Sequence, residues 1–278
     1  MHSIICRFIA LAFCTLLGAM FWAPPSYADS AACPGLSEAA VNAVSNQLHP
    51  QLALSGYACK ALPDEAGKVM LLLPYPAPCD AQDTGKNCRD LELVLLSKDG
   101  LDIASHLFQK TAWNQDACGT ARGSVDTAKY PLHPRARAFG VRVVYSGAVQ
   151  FDSACSIEEL SLYEIQNEAI VLRLQNLEVL SSAQTRGAAA SGACEQGRSL
   201  ERRRSLAVAK TSKHGYADLL VKEASLKTDY RPKPGANLGA NPGANPSPTA
   251  ACSKTESKKG QQFVLRFDGQ KYLLPAGK

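Results

Sequence analysis

Aromatic residues make up only 7% of this 278-residue chain, and the short motifs that mark common active sites are missing. It has no G-x-S-x-G turn, no H-E-x-x-H pair and no glycine-rich phosphate loop. No C-x-x-C pair occurs, and the spacing of Cys79 and Cys88 is too long for a usual zinc knuckle. The aromatic residues are not interleaved with basic ones, as a nucleic-acid groove would need. We therefore predict no metal, no cofactor and no nucleic-acid partner.

Long apolar runs are also missing, except at the N-terminus. There Arg7 precedes an apolar run of 16 residues, Phe8 to Ala23, and two prolines and Ser26-Tyr27-Ala28 follow. This order is typical of a secretory signal peptide, and the run is shorter than the ~20 residues that a spanning helix needs. We expect residues 1–28 to be cleaved and the mature protein to span no membrane.

Glycosylation sites are absent as well. None of the nine asparagines after residue 28 begins an N-x-[ST] sequon with an allowed middle residue, since Pro246 blocks the one near match. This absence favours the bacterial periplasm over a eukaryotic secretory route. The 29 basic and 25 acidic residues after residue 28 leave a net charge of +4, which favours solubility and does not indicate a nucleic-acid partner.

Eight cysteines follow the signal, and an even number in an exported chain indicates disulfides. We predict Cys79–Cys88, which closes a short polar loop, and Cys33–Cys59. A Cys194–Cys252 bond would pin the returning C-terminal strand. The remaining disulfide candidates are Cys118 and Cys155.

The pattern of apolar residues predicts one short N-terminal helix followed by strands. Residues 36–48 carry Ala40, Val41, Val44 and Leu48 at helical spacing after Ser37, a good N-cap, and Pro50 ends the helix. Later segments alternate with period two and are separated by turn residues, including Asp99-Gly100. The expected fold is a mainly β, antiparallel, sandwich-like domain with one short helix, stapled by disulfides.

Three segments allow sharper expectations. In residues 138–145 we expect Phe139, Val141, Val143 and Tyr145 to share a face. In residues 169–180 the apolar phase slips by one residue, which a β-bulge near Gln175-Asn176 would repair. Residues 205–226 read as a hairpin that turns at Gly215.

The C-terminal part contains a low-complexity segment, PGANLGANPGANP, at 234–246. We expect a β domain over 29–230, a tether over 231–260, and a hairpin over 261–278 that docks back on the main domain because an isolated hairpin is marginal in water. A turn at Asp268-Gly269 would set Leu265 opposite Tyr272 and Phe263 opposite Leu274.

The densest charge lies at 197–210, where arginines can bind carboxylates or phosphates in a fork. If this segment is a strand, Arg202 and Arg204 share one face and Arg203 takes the other. The alternative is an edge strand whose charge protects it from aggregation. The candidate binding residues are Arg198, Arg202, Arg203, Arg204 and Lys210.

The histidines and the paired acidic residues give weaker evidence of a functional site. His49, His106, His133 and His214 lie in contexts typical of exposed or half-exposed residues. The acidic pairs Glu158-Glu159 and Asp99/Asp102 read as solvated strand ends and turns. None of these residues is predicted to be catalytic.

Two C-terminal segments carry a resemblance to known proteins. GYADLLVKEASL (215–226) and FVLRFDGQKYLL (263–274) resemble the closing module of uncharacterised exported bacterial proteins, which have a DLLV strand and an FxFDGxxY hairpin and are distantly similar to FG-GAP or propeller modules. The chain has TSKHG where calcium-binding relatives carry an Asp-rich loop. The resemblance implies β architecture and an envelope location, and it transfers no site residue.

Together these features favour an exported periplasmic binding protein that is not an enzyme, for example an inhibitor or immunity partner of an envelope enzyme. Its partner would be an envelope protein or an anionic envelope polymer. The alternatives are an envelope hydrolase without a local motif and a structural envelope protein.

Overall fold

The computed structural model describes residues 33, 35–63, 67–79, 87–97, 102–115, 118–149, 153–185, 196–233 and 252–275. It contains one helix, α1 (Glu38–Leu48), and eleven strands in these residues. The strands are β1 (Ala58–Ala61), β2 (Val69–Ala77), β3 (Asn87–Leu96), β4 (Ile103–Gln115), β5 (Thr120–His133), β6 (Ala136–Val149), β7 (Ser153–Gln166), β8 (Ala169–Thr185), β9 (Gly197–Lys213), β10 (Tyr216–Pro232) and β11 (Cys252–Leu265). The predicted mainly β, antiparallel fold with one short helix is confirmed.

The helix begins and packs as its sequence predicts. The Ser37 hydroxyl accepts a hydrogen bond from the backbone N–H of Ala40 at 3.2 Å, which satisfies one of the free donors of the first turn. Val41 and Val44 are buried against one face of a four-stranded sheet with the order β1-β2-β3-β4. No helix in the described part of the chain is long and apolar enough to cross a membrane.

The other seven strands form a second antiparallel sheet with the order β11-β10-β9-β8-β7-β6-β5. Phe139, Val141, Val143 and Tyr145 are buried together against the four-stranded sheet, which confirms their predicted common face. On its other side β5 packs against β10, so the seven-stranded sheet curls around a further apolar cluster. The core therefore has three apolar layers: one under α1, one between the sheets and one inside the curl.

The described residues contain three disulfides. Cys33–Cys59 ties the segment before α1 to β1, and Cys79–Cys88 closes the loop between β2 and β3. Both predicted pairs are confirmed, and Cys118–Cys155 additionally ties the segment before β5 to β7. Cys194 and the side chain of Cys252 lie outside the described residues. The three bonds indicate an oxidising, exported environment.

The predicted β-bulge is confirmed in β8. Leu177 pairs with Leu160 and Leu174 with Leu162, so Gln175 and Asn176 together oppose Ser161. Asn176 has φ 51°, a left-handed conformation that asparagine tolerates better than most residues. The extra residue corrects the phase, and Leu174 and Leu177 are both buried in the curl.

The hairpin of β9 and β10 also turns where the sequence predicts. His214 and Gly215 both have positive φ, 53° and 81°, as the tight turns that fit the twist of paired strands require. Lys213 and Tyr216 pair directly on either side.

The C-terminal segment differs from its prediction. β11 begins at Cys252, so residues 252–260 are a strand paired with β10. The predicted pairing of Leu265 with Tyr272 is wrong, because Tyr272 pairs with Phe267 across a turn in which Asp268 N donates to Lys271 O at 3.0 Å. Tyr272 then crosses to β8, where its N–H donates to Arg173 O at 2.7 Å. The buried ring of Tyr272 fills the curl, which sets this register.

Candidate functional site

The arginine-rich strand β9 is an interior strand. It pairs with β10 along most of its length and with β8 through residues 198–203. The interpretation of this segment as a charged edge strand is therefore wrong. Arg198, Arg202 and Arg203 instead lie inside the sheet, with a paired strand on both sides.

Arg204 and Arg202 share a face, as predicted, but much of their charge is used within the protein. Arg204 is buried, and its Nε donates to Glu223 Oε2 at 2.8 Å while its Nη1 donates to the backbone oxygen of Glu178 at 3.1 Å. Arg202 Nη1 donates to Glu178 Oε1 at 3.2 Å. The hydrogen bonds from Arg204 and Gln261 outweigh burial and lower the pKa of Glu223, so this carboxylate stays charged. Arg204 is a structural residue, and Arg202 is only partly available.

The other three predicted binding residues have different surroundings. Arg198 Nε donates to Asp229 Oδ1 at 3.0 Å, and the exposed Arg203 pairs with Glu201. Lys210 is exposed near the opposite end of β9, about 40 Å along the strand from Arg198 at roughly 3.3 Å per residue. The structure thus places Arg198, Arg202 and Arg204 on one face of β9 and Arg203 on the other, and leaves Lys210 apart.

The pairing of β9, β10 and β11 gathers further cations that lie far apart in sequence. We call residues 197–204, 222–233 and 252–262 the basic ribbon. It contains eleven lysines and arginines and four acids, a net charge of +7. Since the whole chain carries +5, the remainder carries −2. The cations that sequence reasoning missed are Lys222, Lys227, Arg231, Lys233, Lys254, Lys258 and Lys259.

The two faces of the basic ribbon are both positive. Cross-strand pairing places Arg202, Ser225 and Lys259 side by side on one face. By the same register this face holds six cations and two acids, Glu223 and Asp229. The other face holds four cations, Lys222, Arg203, Lys254 and Lys258, and the acids Glu201 and Glu256. A partner could therefore meet positive charge from either side.

Some of these cations are committed to local pairs, and others are not. Lys227 and Lys254 pair with Asp229 at 2.8 Å and Glu256 at 2.5 Å. Within the described residues, no carboxylate lies within ion-pair distance of the remaining cations of β10, β11 and the residue after β10: Lys222, Arg231, Lys233, Lys258 and Lys259. These five exposed side chains are the part of the basic ribbon that can bind an external anion.

The paired acids Glu158 and Glu159 are not solvated strand ends. Glu158 is buried and accepts a hydrogen bond from Arg142 Nη1 at 2.6 Å. Glu159 is half-buried and pairs across the sheet with Glu178. Burial, and then the negative charge of Glu178, raise the pKa of Glu159 to about 7. Glu159 can therefore hold a proton near neutral pH.

A second polar cluster joins α1 to the four-stranded sheet. Glu92 is fully buried, and its two carboxylate oxygens lie 2.6 Å from His49 Nε2 and 2.8 Å from His106 Nδ1. Burial raises the pKa of the neighbouring Tyr75, and the negative charge of Glu92 adds to this effect. The half-exposed His49 and exposed His106 agree with their sequence contexts, but their shared carboxylate was not predicted, because the three residues are far apart in the chain.

The described residues enclose a very small cavity. It lies between the two sheets, is lined by Gln109, Trp113, Ser161 and Tyr163 among others, and encloses about 10 Å³. This is roughly the space of one water molecule. Neither Glu159 nor Glu92 lines it. The described residues also contain no group of three or more side chains suited to hold a metal ion.

Comparison with known proteins adds no assignment. No family model, no curated protein and no solved structure matches this chain.

Proposed function

We propose that this protein is an exported, non-catalytic binding protein of the bacterial periplasm that captures an anionic partner on the basic ribbon. The observation that carries the proposal is the distribution of charge: the basic ribbon holds +7, whereas the rest of the chain holds −2. A partner with clustered negative charge would be drawn to one end of the seven-stranded sheet. An inhibitor or immunity partner of an envelope enzyme would act in this way.

The exposure of β11 also supports the basic ribbon as the binding surface. Residues 253–262 of β11 are all exposed, and Lys258 and Lys259 are among the cations without a paired carboxylate in the described residues. A surface that served only solubility would need no such segregation, because evenly mixed charges keep a protein soluble. The disulfides support an extracytoplasmic place of action, and the signal-like N-terminus supports the periplasm.

The test is capture of partners from a periplasmic extract on the immobilised, oxidised protein. A ribbon variant carries Arg231→Glu, Lys258→Glu and Lys259→Glu. A matched control carries Lys60→Glu, Lys110→Glu and Lys129→Glu, three exposed cations outside the ribbon with the same change in total charge. We expect the wild type and the control to retain the same acidic partner and the ribbon variant to lose it. Equal capture by all three proteins would retire the proposal.

The raised pKa of Glu159 supports one alternative function, that of an envelope hydrolase. A carboxyl group with a pKa of about 7 beside a second carboxylate could act as a general acid. The corresponding test compares release of soluble fragments from cell-wall glycan by the wild type and by Glu159→Gln. Fragment release that depends on Glu159 would transfer the function to this class.

A further inference from the structure

β11 is a terminal strand of the seven-stranded sheet, and its outer edge is open in the described structure. β11 pairs with β10 over fourteen consecutive positions, from Cys252 to Leu265, and no described strand pairs with its other side. At the opposite end of the same sheet, β5 packs against β10 and β1. The free N–H and C=O groups along β11 are a template for another extended chain.

We propose that an extended acidic polypeptide segment binds along this edge as an additional strand of the seven-stranded sheet. The inference rests on the proposed function and specifies its partner as a polypeptide with acidic side chains. Main-chain hydrogen bonds would hold the segment, and the lysines of β11 would select its charge.

The lysines of β11 are placed to contact the side chains of an added β-strand. A partner with only diffuse negative charge would not need this arrangement. Lys254 and Lys258 point to one face of the sheet and Lys259 to the other, as their cross-strand partners show. An added strand also directs alternate side chains to opposite faces. A segment with acids at neighbouring positions would therefore place a carboxylate near the lysines on both faces. Val264, exposed on the same strand, would give it an apolar contact.

The same charges disfavour a second copy of this chain. Residues 252–262 carry three lysines and one glutamate, a net charge of +2. Pairing β11 with another β11 would bring two such strands together, and like charges on directly opposed strands are destabilising. A polyanion without a peptide backbone could neutralise the lysines but would leave the N–H and C=O groups of the edge to water. An acidic polypeptide would neutralise the lysines and would also form hydrogen bonds with the N–H and C=O groups of the edge.

The experiment measures binding of two fluorescein-labelled ten-residue peptides, in which pairs of Glu alternate with pairs of Thr so that each face of the strand carries carboxylates, to the oxidised protein by fluorescence anisotropy. The second peptide is methylated at its four central backbone nitrogens, which blocks both edges of an extended strand without changing its charge. We expect the methylated peptide to bind at least tenfold more weakly. Amide hydrogen exchange should slow in residues 253–262 on addition of the unmethylated peptide. The double variant Lys258→Glu/Lys259→Glu should lose binding, whereas Lys110→Glu/Lys129→Glu should keep it.

The outcomes separate this inference from the proposed function. Equal affinity for the two peptides would overturn strand addition and leave electrostatic capture in place. Binding of dextran sulfate but of neither peptide would also overturn it. A dimer of the protein that forms through β11 would assign the edge to a second copy. If the peptides and dextran sulfate all fail to bind, the proposed function falls as well.

Discussion

Arg204 and Glu223 form a buried ion pair between two neighbouring strands, with the Nε of Arg204 2.8 Å from Oε2 of Glu223 and only 3% and 9% of the two side chains exposed. A second arginine, Arg203, is the preceding residue of β9 but has 71% of its side chain exposed. One run of arginines therefore contains residues that serve the fold and residues that serve the surface.

This contrast predicts different costs for neighbouring substitutions. Arg204→Met should lower the free energy of unfolding by about 3 kcal/mol, because the buried Glu223 loses its nearest cation and keeps only Gln261 and, at 3.8 Å, Arg202. Arg203→Met should change it by less than about 1 kcal/mol, as is usual for exposed pairs. Urea denaturation of the two variants measures the difference. The double variant Arg204→Met/Glu223→Met should recover much of the loss, and no recovery would contradict a paired role.

Glu159 should make stability depend on pH near neutrality. Its pKa of about 7 in the folded protein lies above the ordinary value of 4.5, so the folded state binds the proton more tightly. The contribution of this group to the free energy of unfolding should therefore be largest below pH 4.5. It should fall as the pH rises towards 7 and level off above pH 7. Glu159→Gln should raise the free energy of unfolding at pH 8 by about 1–3 kcal/mol. The same variant should have little effect near pH 4.5, and an equal gain at both pH values would contradict this explanation.

Glu92 should stabilise the contact between α1 and the four-stranded sheet through its two histidines. Glu92→Ala should lower the free energy of unfolding by about 2 kcal/mol or more, because both imidazoles lose a buried partner. Glu92→Gln should cost less than about 1 kcal/mol, since an amide oxygen can accept from one histidine and its N–H can donate to the other. Thermal unfolding of the two variants measures this order. Equal losses would mean that the negative charge itself is required.

The PGAN repeat, which lies outside the described residues, should contribute little to stability. Pro232 and Cys252 pair directly, so the 19 residues between them connect two positions that the sheet holds together. Deleting residues 235–246 leaves seven of them, and the shorter loop lowers the entropic cost of closure by about 1 kcal/mol. The melting temperature should therefore stay the same or rise slightly. A fall of many degrees would show that the repeat is packed.

Local patterns predicted most of the fold. Val141 and Val143 alternate into the core, Ser37 begins the helix, and the slip at Gln175 and Asn176 marks a bulge. Each of these features is decided by residues that are close in sequence. The Cys79–Cys88 disulfide belongs to the same class, because its cysteines flank a single loop.

The features that the sequence did not predict depend on contacts between distant segments. Tyr272 has its register because its ring fills the curl beside β8, about 100 residues away in the chain. Glu92 gains its histidines from α1 and β4. The basic ribbon forms only when β10 pairs with β9 and β11 pairs with β10, which brings Lys259 onto the same face as Arg202. A search of contiguous charge could find the arginine run but not the cations that surround it.

The most direct test of the central claim is the affinity for polyglutamate of the wild type, the ribbon variant and the matched control, measured at 50 and 200 mM salt. If the basic ribbon is the binding surface, the ribbon variant should bind at least thirtyfold more weakly and lose much of the dependence on salt, because exposed charges are screened by ions. The control, which has the same net charge, should stay within threefold of the wild type. Equal loss in the two variants would contradict the account, since it would show that total charge and not the basic ribbon governs binding.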